Sequence, residues 1–121
     1  MDKDLFEKLV LEALAELPRQ FQEKMENVEI VIEDWPTSTQ LASVGLPQNS
    51  LLFGLYHGVP KTKRGSHYSA LPDKISLFAG PIFALNKTPE AVKNRVKQVV
   101  RHEIGHHFGM SEKEIRKAER Q

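Results

Sequence analysis

Two histidines four residues apart, His102 and His106, with Glu103 directly after the first, form a His-Glu-x-x-His pattern near the end of a chain of 121 residues. On an α-helix, residues four apart lie about 40° apart around the axis, so both imidazoles can reach one metal ion. Glu103 would project beside that ion rather than at it, which suits a general base acting on a metal-bound water. With this composition, roughly 0.02 matches to the pattern arise by chance before a surrounding helix is required. The bland alternative is two ordinary histidines on the edge of a helix.

The helix that must carry them is legible. Thr88, Pro89 and Glu90 read as an N-cap, a proline at the first helical position and an early acid, and Val92, Val96, Val99, Val100 and Ile104 follow at helical spacing. At about 100° per residue the valines hold one side, Glu103 continues their stripe, and His102 and His106 fall on its edge. The motif therefore sits beside a buried face, where a partly dry wall strengthens a metal's effect on water. Beyond it, Gly109 suits a left-handed helix ending that swings the chain back towards the metal. Glu112 then stands at the third-ligand position. The same acid also belongs to Ser111-Glu112-Lys113-Glu114, a capping box for a last helix running to about residue 120, in which Glu112 would only complement the helix dipole. Both readings can hold, because the first turn of a helix is a rigid mount; water in place of a third protein ligand is the remaining option. Glu114 is assigned to the cap. His107 continues the valine side and reads as a packed, hydrogen-bonded imidazole rather than a ligand.

The run from Val100 to Glu112, with Leu52-Phe53-Gly54-Leu55-Tyr56-His57-Gly58-Val59-Pro60 and Leu71-Pro72-Asp73-Lys74-Ile75-Ser76-Leu77-Phe78 upstream, resembles the small bacterial zincin-like metallopeptidases, the minimal zincins. The likeness covers about residues 28–118. It implies an α+β fold, a short, mostly parallel or mixed sheet packed against the motif helix and a few others, with zinc held by His102, His106 and an acid at position 112. That acid is usually aspartate in the family, and Glu112 is one methylene longer. The extended motif also resembles the metzincins, but no methionine follows Glu112 to make their later methionine turn, and Met110 lies inside the motif.

Length and composition agree with one small domain over residues 1–121: 40% hydrophobic residues suffice for one core and not for two. Seventeen basic against sixteen acidic side chains leave a formal net charge of +1, which asks for neither nucleic acid nor an anionic membrane as partner. There is no cysteine, so any metal must be held by imidazole and carboxylate. The acidic start, Met1-Asp2-Lys3-Asp4, lacks the basic opening and unbroken apolar core of a secretion signal, and no stretch approaches about 18 apolar residues. A cytoplasmic location is the simplest expectation.

Leu5, Phe6, Leu9, Val10, Ala13, Leu14 and Leu17 mark an amphipathic first helix ending at Pro18, with a short second helix over residues 18–26. Residues 28–33 read as a strand rich in β-branched side chains, turned off by Asp34-Trp35-Pro36. Residues 51–56 and 74–78 read as further strands. Gly80-Pro81 should end the last of them, leaving residues 82–85 as a short apolar segment. Trp35 is expected to cover the sheet edge, or else to line a cleft. The long connection over residues 60–72 carries Lys61, Lys63 and Arg64, which could attract an acidic substrate but read more simply as a solvated basic loop. Tyr56, His57, His67 and Tyr68 are candidates for stabilising an oxyanion.

The reaction these residues would support is hydrolysis of a peptide bond. One zinc ion held by His102, His106 and Glu112 would lower the pKa of its water to about 7, with Glu103 taking the proton and later handing it to the leaving amine. Non-haem iron shares the two-histidine, one-carboxylate set, but zinc suits a tetrahedral arrangement of these ligands. An extended peptide or protein substrate would add to a sheet edge near the motif helix. Deformylases with the same motif need a cysteine, and three-histidine zinc ribonucleases need a histidine beyond His107; the chain has neither. The rival of another class is a catalytically weak or inactive, zinc-stabilised peptide-binding module. Oligomeric state is not legible.

Overall fold

The computed structural model describes residues 2–58 and 72–119. Its elements in chain order are α1 (Lys3–Ala15), α2 (Arg19–Lys24), β1 (Val28–Glu33), α3 (Ser38–Ser43), β2 (Gly54–His57), β3 (Asp73–Phe78), α4 (Ala79–Leu85), α5 (Pro89–His107) and α6 (Glu112–Glu119). The strands form one mixed sheet in the order β1-β3-β2, with β1 parallel and β2 antiparallel to the central β3. This is the expected α+β architecture, and the sheet is evenly mixed rather than mostly parallel. Among the described residues, no helix is long and apolar enough to cross a membrane.

The core forms where the amphipathic stripes meet. Phe6, Leu9, Val10 and Ala13 of α1 pack with Val92, Val96 and Val100 of α5, with Phe21 of α2 and with Ile75 and Leu77 of β3. At roughly 1.5–3 kcal/mol for each large side chain taken out of water, this shared stripe is what makes α5 a rigid platform. Glu16, just past the end of α1, adds a polar clasp: its two carboxylate oxygens lie 2.8 Å from Lys93 Nζ and 2.9 Å from Lys97 Nζ on α5. Those hydrogen bonds, that to Lys93 foremost, hold the Glu16 carboxyl below its ordinary pKa.

Several local expectations need correction. The strand expected over residues 51–56 begins only at Gly54, and the second helix is shorter than residues 18–26. Gly80-Pro81 does not close a strand ahead of an irregular segment; both lie in the first turn of α4, where a proline's missing N–H has no intrahelical partner to lose. The helix α3 went unread, although Thr37 and Gln40 make a full capping box with N···O distances of 3.0 and 2.7 Å. Trp35 is 58% exposed, with its indole over Gly80 and its rim bordering a shallow cavity shared with Leu41 and Leu51. Lys61, Lys63, Arg64, His67 and Tyr68 lie outside the described residues.

Candidate metal centre

Two helices and a four-residue turn build the site. Thr88 caps α5, its side chain accepting from the Ala91 N–H at 3.1 Å, with Pro89 in the first helical position. The helix runs unbroken through the motif and ends at Phe108. There Gly109 takes a φ of 76°, open to glycine and costly for other residues. The N–H of Gly109 bonds the carbonyl of His106 at 3.1 Å, and that of Met110 bonds Gly105 at 2.7 Å, the paired bonds of a Schellman ending. The chain leaves this turn directed into α6. Ser111 caps the new helix, accepting from the Glu114 N–H at 3.1 Å and donating to Glu114 Oε1 at 3.2 Å. Glu114 is thus engaged as the cap partner, as expected, and Glu112 is left to face back.

What fixes the angle between the helices is the motif's own glycine. A Cβ built on Gly105 would stand 2.5 Å from Ile115 Cδ1 and 2.6 Å from Ile115 Cγ1, so α6 is seated by its fully buried Ile115 against bare helix backbone. Gly105→Ala should therefore reverse the usual helix preference. In an open helix it would add up to about 1 kcal/mol. Here overpacking should leave the protein less stable by about 1–2 kcal/mol and displace α6. A thermal melt of the variant alone and with Ile115→Val, which should recover part of the loss, checks this; a raised melting temperature for Gly105→Ala would sink it.

The turn brings His102, His106 and Glu112 together. Glu112 Oε1 lies 2.9 Å from His106 Nε2 and 3.3 Å from His102 Nδ1, and the three donor atoms fall within 4.8 Å of one another. The two imidazole rings are 5.8 Å apart, 24° from parallel, on one side of α5. Tetrahedral zinc, with bonds of about 2.0–2.2 Å, holds its ligand atoms about 3.3 Å apart. Two borderline nitrogens and one hard oxygen at these separations fit such an ion with small side-chain adjustment. The surroundings are half open: the side chains of His102, His106 and Glu112 are 34%, 55% and 47% exposed.

Glu103 lies on the inner side of this group. Burial pushes its carboxyl above the ordinary value, opposed by His106, by a hydrogen bond from the backbone N–H of Tyr56 and by His102. Tyr56 is in β2, so the edge of the sheet holds the carboxylate directly. The same residue clasps the next helical turn. Its ring stacks on His107, with centroids 4.0 Å apart and planes 17° apart, while its hydroxyl donates to Asp73 Oδ2 at 2.7 Å. Asp73 Oδ2 in turn lies 3.5 Å from His107 Nε2. His107 is thus packed and paired away from the three-donor group, as its place on the valine side implied.

Of the oxyanion candidates, the Tyr56 hydroxyl is engaged by Asp73, and His57 lies on the opposite face of β2. His57 Nε2 is buried with no hydrogen-bond partner among the described residues, and that burial holds its pKa below the usual histidine value. Sequence reasoning gave no role to Asp73 or Ile115. Asp73 meets Tyr56 across 17 residues, and Ile115 matters only because Gly105 lies beneath it. Neither contact leaves a periodic or motif signal in the chain.

Position 112 allows a decisive test. As a ligand, Glu112→Gln should weaken zinc binding by about 10-fold or more, because a neutral amide replaces a hard charged oxygen while Ser111 and Glu114 still cap α6. As a first-turn acid only, the change should leave zinc affinity unaltered and cost at most about 1 kcal/mol through the dipole. A zinc titration and a metal-free melt on the same samples separate the two.

No match is found among curated proteins. The model of the zincin-like metallopeptidases matches residues 25–121, which takes in β1, the whole sheet, α5 and α6, and the chain belongs to that family.

Proposed function

We propose that the protein is a zinc-dependent peptidase that uses His102, His106 and Glu112 to hold one zinc ion and Glu103 as general base and acid. The observation that carries this reading is the convergence of three donor atoms within 4.8 Å of one another, next to a carboxylate held on the same helix by a strand N–H. When bound, zinc supplies Lewis acidity that brings a water's pKa to about 7 and polarises a carbonyl.

The protein's own groups do the rest. Glu103 accepts the proton of the attacking water on its carboxylate and delivers it to the leaving amine nitrogen, so that it ends the cycle unprotonated, as it began. The Tyr56 N–H fixes one side of that carboxylate, limiting its rotation as the proton moves. The clasp of Tyr56, Asp73 and His107 anchors the strand that provides this N–H. The exposed side of His106 and Glu112 leaves room for an extended peptide or protein chain.

The experiment is metal analysis of the purified protein together with digestion of an unfolded protein. About one zinc per chain and proteolysis that disappears on chelation and returns with zinc support the reading. Stoichiometric zinc with no cleavage of any unfolded substrate would instead favour a zinc-stabilised peptide-binding module.

A further inference from the structure

Resting on that reading, the outward face of α6 adds a preference for the substrate. α6 buries Ile115 and Ala118, which turns Lys113, Arg116 and Lys117 outward, while Glu112 faces the two histidines. Glu112, Lys113, Arg116 and Lys117 border an open depression on the surface of α6. Glu112 and Glu114 are both engaged elsewhere: Glu112 faces His102 and His106, and Glu114 is bound to Ser111. Among the described residues, no ion pair joins Lys113, Arg116 or Lys117 to a carboxylate.

Helix stability explains this arrangement only in part. Arg116 and Lys117, in the last turn, complement the negative end of the dipole. Lys113 does not, because it sits in the first turn at the positive end. It is also three residues from Arg116 and four from Lys117, the spacings at which like charges repel across a helix face. Glu112 and Glu114 stand four and three residues before Arg116 and Lys117, spacings that favour them, yet neither acid is paired with these bases, so the three cations lie open beside the metal centre and available to a ligand.

We propose that this face is the docking site for acidic side chains of the peptide substrate, a few residues from the bond to be cut. Arg116 can take a carboxylate through two parallel N–H donors, and the lysines act as mobile point charges on either side. One helical turn separates neighbouring Cβ atoms by about 5–6 Å. An extended peptide advances about 3.3 Å per residue, so a substrate bond near Glu112 places side chains about one to three residues away opposite Arg116 and Lys117. Acidic side chains, rather than a single terminal carboxylate, suit three cations spread along a little more than one turn of the helix.

The test uses zinc-loaded Glu103→Gln protein, which retains the metal ligands and should not cut, and three labelled peptides of equal length followed by fluorescence anisotropy. One carries Asp and Glu and an amidated C-terminus, the second is its Asn and Gln isostere, also amidated, and the third is the isostere with a free carboxyl end. The acidic peptide should bind about tenfold more tightly than its amidated isostere, with an advantage that shrinks as salt rises. Combined Lys113→Gln, Arg116→Gln and Lys117→Gln should erase that advantage while the protein still binds zinc and unfolds cooperatively, and Arg116→Glu alone should reduce it. Equal binding of acidic peptide and isostere, no measurable binding of either, or an advantage that survives the triple substitution would overturn the proposal. Equal binding of the free-carboxyl and acidic peptides would overturn the side-chain assignment in favour of a terminal carboxylate. A protein that takes up no zinc yet keeps an acid preference dependent on these three bases would remove the peptidase reading and leave the docking face standing.

Discussion

Glu103→Gln should lower peptide hydrolysis by about 10²–10⁴-fold, the contribution of a well-placed general acid and base, while zinc stays bound. Glutamine keeps the shape of the side chain, and its carbonyl oxygen can still accept the Tyr56 N–H. What it loses is the ability to take and return a proton. Burial disfavours the ionised form of Glu103, so removing that charge should leave the melting temperature unchanged or slightly higher. Loss of turnover with intact zinc and undiminished stability identifies the base. Retained turnover in the variant would remove Glu103 from the mechanism, and unchanged peptide binding with no turnover in either protein would point to a binding module.

His102→Ala should abolish stoichiometric zinc. Disturbing a residue that merely orients a metal ligand costs about 10–100-fold in affinity, and deleting one of three ligands should exceed that. The fold should survive, since His102 lies on the edge of α5 and the core stripe of Val96, Val100 and Ile104 is untouched. Titration with zinc against a competing chromophoric chelator, alongside a metal-free melt, reads both effects. One tightly held zinc per chain in this variant would refute the site.

How much of this was legible depended on the range of the interactions involved. The helix α5 could be read from Thr88 to its end because its cap, its proline and its valine stripe are all local, and the placement of His102 and His106 followed from helical spacing. The helix ending at Gly109 and the Ser111–Glu114 cap were likewise readable within a few residues. The strands Val28–Glu33, marked by its β-branched run, and Asp73–Phe78, marked by its apolar residues ahead of Gly80-Pro81, were placed to within one residue. Gly80 and Pro81 misled because local breakers are tolerated in a first turn, and here the Trp35 indole lies over Gly80. The hold on Glu103 by Tyr56 was illegible for a different reason: it is made by backbone, and any residue but proline at position 56 would present the same N–H.

The seat of Ile115 on Gly105 also sets the order in which the site should come apart. The two histidines ride on a 19-residue helix built into the main core, whereas Glu112 belongs to an eight-residue helix anchored through Ile115 and Ala118. Small, lightly anchored units open at lower free energy than the body of a protein. On warming, the oxygen arm should detach as a hinged flap while the nitrogen pair keeps its spacing. Amide protons of α6 should then exchange through a local opening well below the global transition, and an ion bridging the two helices would slow that opening in proportion to its grip on the flap.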